Sequence, residues 1–386
     1  MLHHNDPYQD IRDAVRDLCA QFPDEYHRKV DEQRGYPEAF VDALTKAGWM
    51  AALIPQEYGG SGLSMAEASV IMEEINRSGG NSGACHGQMY VMNSIVRGGS
   101  QAQKEKFLPK IATGELRIQS MGVTEPTTGS DTTKLKTAAV KKDGRWVING
   151  QKVWTSRALH SDLMLLLART TPLDQVKKKS EGLSVFLLDI RDGLGKGLDI
   201  RPLKAMVNHH ATEVFFDNLK IPADCLIGEE GKGFKYILDG MNAERILVSA
   251  EAIGDARWFT QTAVNYVNER RVFDRPIGQN QAVQFPIARA HAETDAADLV
   301  LRRAAALFDA GLPCGDDANM GKLLASEATW HAAEACLQCH GGFGYAKEYD
   351  VERKWRETRL FQIAPISTNL VLSYIGEHML GMPRSF

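Results

Sequence analysis

The stretch Met121-Gly-Val-Thr-Glu-Pro-Thr-Thr-Gly-Ser-Asp131, followed by Asn149-Gly-Gln-Lys-Val-Trp-Thr-Ser156, marks where one structural grain of the chain gives way to another. Upstream, from Pro7 to about Arg117, apolar residues recur at three- and four-residue steps (Ile11, Val15, Leu18, then Val41, Leu44), with Gly-rich breaks at Tyr58 to Gly62 and Gly79 to Gly83. That is the period of amphipathic helices. From about Gln119 the spacing shortens. Val140-Lys-Lys-Asp-Gly-Arg-Trp-Val147 places an Asp143-Gly144 turn between two strand-like runs, and Asn149-Gly150 is a second hairpin signal. Leu163 to Ala168, Leu183 to Ile190 and Glu213 to Phe216 are apolar or alternating runs of strand length, while the lysines in Gln175 to Glu181 read as a solvated loop. After Gly228-Glu-Glu-Gly-Lys-Gly233 the helical spacing returns, with Ala-rich stretches at Thr294 to Ala310 and Ser326 to Cys336. The expected fold is α+β: an N-terminal helical domain (1–118), a central β domain of about six strands (119–228) and a C-terminal four-helix bundle (229–386).

Composition narrows the class. The chain has 386 residues, 45 Lys and Arg against 49 Asp and Glu, a net charge of −4, 44% apolar residues and 24% charged ones. This is globular usage, and it argues against a dedicated nucleic-acid binder or a disordered chain. The longest apolar runs, such as Leu163 to Ala168, fall far short of the roughly 18 residues of a membrane helix, and the start MLHHNDPYQD lacks a basic region followed by an apolar one. No membrane span or export signal is expected. Six cysteines at irregular spacing then suggest reduced thiols and a cytoplasmic location.

The loop from Met121 to Asp131 concentrates Thr, Ser and Gly, which offer backbone N–H groups and hydroxyls to a polar ligand at little steric cost. Taken alone it is an ordinary cap and turn, and Trp154 alone is ordinarily a core residue. Together, and in this order, the two stretches resemble the acyl-CoA dehydrogenase family, whose flavin loop reads V-T-E-P-x-x-G-S-D and whose next signature reads N-G-x-K-x-W-I-T. Ala47-Gly-Trp-Met-Ala-Ala-Leu-Ile-Pro-Gln-Glu-Tyr-Gly-Gly60 is similar to the family's P-E-E-Y-G-G segment. Arg270-x-x-Phe273-x-x-x-Ile277-x-x-x-Gln281 and Gln338-Cys-His-Gly-Gly342-Phe-Gly-Tyr345 resemble two further motifs, R-x-x-F-x-x-x-[IL]-x-x-x-Q and Q-x-x-G-G-x-G-[FY].

The resemblance implies an FAD enzyme. By it, Met121, Val123, Thr124 and Thr155 lie at the flavin, Trp154 packs on the isoalloxazine, Ser156 reaches N5, and Ser130 lies near substrate or pyrophosphate. Arg270, Phe273, Gln281, Gln338, Gly341, Gly342, Ser367 and Asn369 bind the adenosine diphosphate half of an FAD held mainly by a neighbouring subunit. A diphosphate needs Arg and backbone donors, and a flat ring needs an aromatic wall. A shared cofactor implies a homo-oligomer, a tetramer built as a dimer of dimers. The other implied partners are an acyl-CoA substrate and an electron-transfer flavoprotein.

Desaturating a thioester requires a carboxylate to take the α-proton while the β-hydride leaves. In many members the base is a Glu in a Y-E-G-T-S-type segment near the C-terminus. Here the matching run, Arg359-Leu-Phe-Gln-Ile-Ala-Pro365-Ile-Ser-Thr-Asn369, puts Pro365 at that place. A smaller set, including isovaleryl-CoA dehydrogenase, carries the Glu in an L-x-x-E-R segment, which resembles Gly240-Met-Asn-Ala-Glu244-Arg245. Glu244 is therefore the expected base, with Asn242 and Arg245 on the CoA arm; read without the resemblance, Glu244 and Arg245 are a solvated helix pair. Proline also lacks the N–H that helps hold the thioester oxygen, so the donor shifts to Ile366, or the ribityl hydroxyl carries more, or the reaction is not a simple dehydrogenation. His86, Met89 and Tyr90, in the Gly83 to Asn93 stretch that lines the acyl tail in the family, favour short or branched chains.

Three other readings are distinguishable. A flavin oxidase or monooxygenase on the same fold differs in oxygen reactivity, and a catalytically dead CoA- or flavin-binding scaffold sits poorly with a full motif set. A haem carrier rests on Cys336-Leu-Gln-Cys339-His340, which fits the C-x-x-C-H attachment pattern. His209 and His210 are adjacent in a strand-like run and would face opposite ways, so no metal site is expected there.

Overall fold

The structure, a computed structural model, describes residues 6–384. The first five residues of the segment read for an export signal lie outside the described residues. The N-terminal helices are α1 (Gln9–Cys19), α2 (Asp24–Glu32), α3 (Glu38–Lys46), α4 (Met65–Arg77), α5 (Gly83–Gly98) and α6 (Gln101–Ala112). The strands follow: β1 (Ser120–Gly122), β2 (Ala138–Lys142), β3 (Arg145–Ser156), β4 (Leu163–Arg169), β5 (Leu183–Asp189), β6 (Leu198–Pro202), β7 (Ala211–Pro222) and β8 (Leu226–Ile227), with the short α7 (Ile190–Gly193) after β5. The chain ends in α8 (Gly233–Glu269), a small hairpin β9 (Arg271–Val272) and β10 (Arg275–Pro276), then α9 (Gln281–Asp309), α10 (Gly315–His340), α11 (Val351–Ile363) and α12 (Thr368–Tyr374).

Two compact units divide this chain, and neither is continuous in sequence: one gathers residues 1–37, 64–82 and 242–386, the other 38–63 and 83–241. The second unit holds a sheet of strand order β6-β7-β3-β2-β4-β5-β8, with β1 parallel to β4 on its other flank. The expected six strands are in fact eight. The additional ones include β1 and β8, three and two residues long, too short to display a period of two. The alternating run at Glu213 to Phe216 is the middle of the twelve-residue β7. His209 and His210 precede that strand in a loop, with His210 at φ +51°, so the strand reading of this pair is corrected. Trp146 and Phe186, edge to face at 5.1 Å, anchor the sheet's core with Leu166, Leu188, Val214 and Leu219. Ser100 caps α6 in a reciprocal capping box with Gln103.

The first unit is held by small apolar faces and buried charge. Ala256, Phe259 and Ala263 of α8 pack with Ile287 and Ala290 of α9 and Ala332, Ala333 and Cys336 of α10, alanine permitting close helix approach. At Gly254 a Cβ would lie 2.3 Å from the carbonyl of Glu73, which fixes how tightly α8 crosses α4. Arg12 is buried and reaches Asp6 at 2.7 Å, Glu74 at 2.7 Å and Glu73 at 3.1 Å. Lys354, fully buried, pairs with Asp255 at 2.5 Å and donates to the carbonyl of Gly80.

Candidate active site

In the β-sheet unit, the loop after β1 is tied to β3 at several points. Val153 N–H donates to the Thr124 carbonyl at 2.9 Å, and Lys152 Nζ donates to the Val123 carbonyl at 3.0 Å and to Glu125 at 2.9 Å. Glu125 also accepts from the backbone N–H groups of Lys136 at 2.7 Å and Thr137 at 2.8 Å. Burial works against this carboxylate, but the Lys152 ammonium and the two backbone donors outweigh it and hold Glu125 below the usual range. Burial brings Lys152 down to about 8, with Glu125 opposing. The loop is thus fixed to its strand by a dry ion pair.

Beyond that clamp β3 is bulged. Lys152 faces Val214 while Thr155 faces Thr212, so β3 carries one extra residue between them. Trp154 sits in the bulge at φ +59° with 57% of its surface exposed, against its ordinary core reading. Thr155 is buried, its hydroxyl oxygen without a hydrogen-bond partner, and Ser156 is half-buried. Met121, Val123 and Thr124 are half-buried and Ser130 is exposed. An exposed indole beside anchored backbone and an unmatched hydroxyl fits a flat, polar-edged ring such as the flavin. In α5 of the same unit Met89 and His86 are buried, and the half-buried Tyr90 lies 5.1 Å from the His86 ring.

In the helical unit, Glu244 and Arg245 are buried, at 6% and 8% exposure, so the solvated-pair reading is set aside. Arg245 Nη1 donates to Asn242 Oδ1 at 3.0 Å, and burial lowers its pKa with Glu244 opposing. Lys322 of α10 feels both: burial and then the Arg245 charge bring it down to about 8, while Glu244 opposes. Its Nζ donates to the Ile366 carbonyl at 2.7 Å, the residue after Pro365.

The residues expected at the diphosphate half also lie in this unit. Arg270, Gln281, Gln338, Gly341, Gly342 and Asn369 are exposed, Ser367 is half-buried, and Phe273 is 92% exposed at φ +53°. No atom lies within 4 Å of a Cβ built on Gly341 or Gly342, leaving room for a ligand against the backbone. Tyr266, whose carbonyl accepts from Arg270 N–H at 2.8 Å, stacks on His340 at 4.0 Å and so joins the Arg270 turn to the Gly341 turn. The haem reading fails here: Cys336 is fully buried and His340 nearly so, with its Nδ1 2.7 Å from the Cys336 carbonyl.

Sequence reasoning passed over Lys152, Glu125 and Lys322. Glu125 stood inside the first of the two stretches and Lys152 inside the second, and a Glu and a Lys in otherwise apolar or hydroxylic surroundings are the signal of a buried pair.

Family models described as the acyl-CoA dehydrogenase N-terminal, middle and C-terminal domains match residues 5–115, 120–219 and 231–380. The chain is 33% identical to acyl-CoA dehydrogenase FadE12 of Mycobacterium bovis, covering 98% of this chain and 97% of that one. It is 31% identical to glutaryl-CoA dehydrogenase of Desulfococcus multivorans, covering 98% and 96%. The solved butyryl-CoA dehydrogenase of Megasphaera elsdenii superposes with a TM-score of 0.90 at 28% identity, over 98% and 100% of the two chains. With three domain models matching in order along nearly its whole length, the chain belongs to the acyl-CoA dehydrogenase family of FAD-dependent oxidoreductases.

Proposed function

We propose that this enzyme converts an acyl-CoA thioester to the 2-enoyl-CoA with Glu244 as catalytic base, the arrangement of the isovaleryl-type subgroup. The observation that carries it is a buried Glu244-Arg245 pair on α8 in a chain whose usual base position is Pro365. A carboxylate on this helix suits removal of an α-proton, and Arg245 and Asn242 suit the CoA arm. FAD, when bound, supplies the hydride acceptor. Met121, Val123, Thr124, Trp154, Thr155 and Ser156 suit its ring. Arg270, Phe273, Gln281, Gln338, Gly341, Gly342, Ser367 and Asn369 suit its diphosphate half, and Ser130 lies toward substrate or pyrophosphate.

Functionally the chain divides at 1–118, 119–228 and 229–386. Phe273 at 92% and Tyr345 at 78% exposure are large apolar surfaces for a lone chain, which supports a homo-oligomer, read as a tetramer sharing its FAD. The bulk of His86, Met89 and Tyr90 supports short or branched acyl chains. Among the described residues no helix is long and apolar enough to cross a membrane, and the enzyme is read as cytoplasmic, passing electrons to an electron-transfer flavoprotein. Pro365, by removing an N–H donor, favours an oxidase or monooxygenase as the second reading, distinguished by oxygen consumption of the reduced enzyme.

Glu244→Gln keeps size and hydrogen bonding but loses the proton acceptor. Anaerobic stopped-flow with the best acyl-CoA should show flavin reduction slowed about 10²–10⁴-fold, with FAD and acyl-CoA still bound. A rate within a few-fold of the parent would remove Glu244 as base.

A further inference from the structure

We propose that Cys336 and Cys339 are a redox-active thiol pair that a hydroperoxide, such as hydrogen peroxide, converts to a disulfide within α10. The two are three residues apart near the C-terminal end of that helix. Helix geometry puts their Cα atoms about 5 Å apart, inside the roughly 4.4–6.8 Å range that a disulfide spans. Both sulfurs converge on one atom: His340 Nδ1 lies 3.7 Å from Cys336 Sγ and 3.6 Å from Cys339 Sγ. The imidazole is itself fixed, with Nδ1 2.7 Å from the Cys336 carbonyl and its ring stacked on Tyr266.

Exposure divides the labour. Cys336 is fully buried and Cys339 half-buried, so a small oxidant in solvent meets Cys339 first. The hydrogen bond from the Cys336 thiol, with His340 assisting and burial opposing, pulls Cys339 down toward the thiolate, whereas Cys336 is pushed up by its proximity to Cys339 and by burial. The C-terminal end of a helix disfavours a thiolate, and the hydrogen bonds from Cys336 and His340 work against that tendency. Elsewhere burial leads: it pushes Cys19 up to about 12, with a Ser78 hydrogen bond opposing, and Cys225 up to about 11, with the Asp224 charge adding to it. Cys339 is therefore set apart from Cys336, Cys19 and Cys225 as the attacking thiol.

The chemistry balances without further reactants. The Cys339 thiolate attacks one peroxide oxygen, the O–O bond breaks, and the departing hydroxide takes up the proton that the thiol had released, giving a sulfenic acid and a first water. Cys336 sulfur then attacks Cys339 sulfur, losing its proton as the S–O bond breaks and a second water departs. Two thiols are oxidised by two electrons and the peroxide is reduced to two waters. Closure disturbs little, because Cys339 stands in the last helical turn, before Gly341 at φ +58°, where carbonyls lack helical partners.

The test treats the holoenzyme at neutral pH with graded hydrogen peroxide and maps thiols by peptide mass spectrometry. The peptide carrying both residues should lose two hydrogens before Cys19, Cys85, Cys225 or Cys314 changes, and dithiothreitol should restore it. Cys336→Ser should abolish the disulfide and leave a dimedone-trappable sulfenic acid on Cys339. Cys339→Ser, at the half-exposed position and so mild for folding, should slow the first oxidation of the chain about tenfold or more. The proposal is overturned if another cysteine oxidises first, if the pair consumes peroxide without forming the disulfide, or if Cys339→Ser leaves the rate unchanged.

Discussion

Replacing Lys152 with Met removes a charge while keeping roughly the same length and volume. What it leaves behind sets the magnitude. Glu125 stays buried at 5% exposure, having lost an ammonium at 2.9 Å, and the Val123 carbonyl loses its donor. Breaking one side of a buried pair costs about 3–5 kcal/mol. Glu125 keeps the backbone donors of Lys136 and Thr137, which places the expected loss near 3 kcal/mol, at the lower end. Part of that appears as misplacement of the loop that carries Val123 and Thr124. If all of it did, FAD would bind about a hundredfold more weakly, and this is the upper bound. The assay pairs urea unfolding with FAD titration of apoprotein, for Lys152→Met, Glu125→Gln and the double variant. Because each single variant breaks the same pair and strands its other member, the double should cost clearly less than the two singles added. Strict additivity, or an unfolding shift of the single variant worth under about 1 kcal/mol, would refute the clamp.

Two other perturbations follow from named contacts. Burial, and then the Arg353 charge, bring His27 down to about 4, below its ordinary value of roughly 6.5, so its contribution is complete above that value and is lost as pH falls from there towards 4. The loss amounts to about 3 kcal/mol, and His27→Gln should flatten the stability profile over that window; an unchanged slope in urea titrations at stepped pH would count against the assignment. Arg270→Ala should weaken FAD retention by about 1.5–3 kcal/mol, one charge-assisted hydrogen bond to a phosphate, measured as flavin content after gel filtration; full retention would mean that Arg270 does not hold the diphosphate.

The order of helix, sheet and helix was legible because it is written in period: Ile11, Val15 and Leu18 at helical steps, and Asp143-Gly144 between alternating runs. What the sequence did not carry was pairing at a distance. Lys152 and Glu125 both stood in recognisable motifs, but their contact exists only once β3 lies beside the loop after β1. Trp154 taken alone is ordinarily a core residue, and the one-residue bulge in which it sits exposed leaves no composition signal. The strands β1 and β8 are too short for periodicity and form because neighbours offer open edges. Glu244 could be found only through the family's alternative base position, since buried and solvated Glu-Arg pairs look alike in a single sequence.

The interleaving of the two units sets a timetable for synthesis. Residues 38–63 and 83–241 can complete their sheet while the rest of the chain is still being made, but residues 1–37 and 64–82 belong to a unit whose remaining partner starts at Asn242. At translation rates of about 5–20 residues per second, the last stretch of about 145 residues takes roughly 7–30 s to appear. Arg12, Glu73 and Glu74 can find one another before that interval begins, whereas Asp255 and Arg257 are added early in it and Lys354 only late, so the buried charge networks stay incomplete until then. α1 and α4 can pack on each other in that interval, but the face of α4 that meets α9 waits exposed until Gln281–Asp309 is made. A truncation within the last helices therefore strips partners from the first residues made.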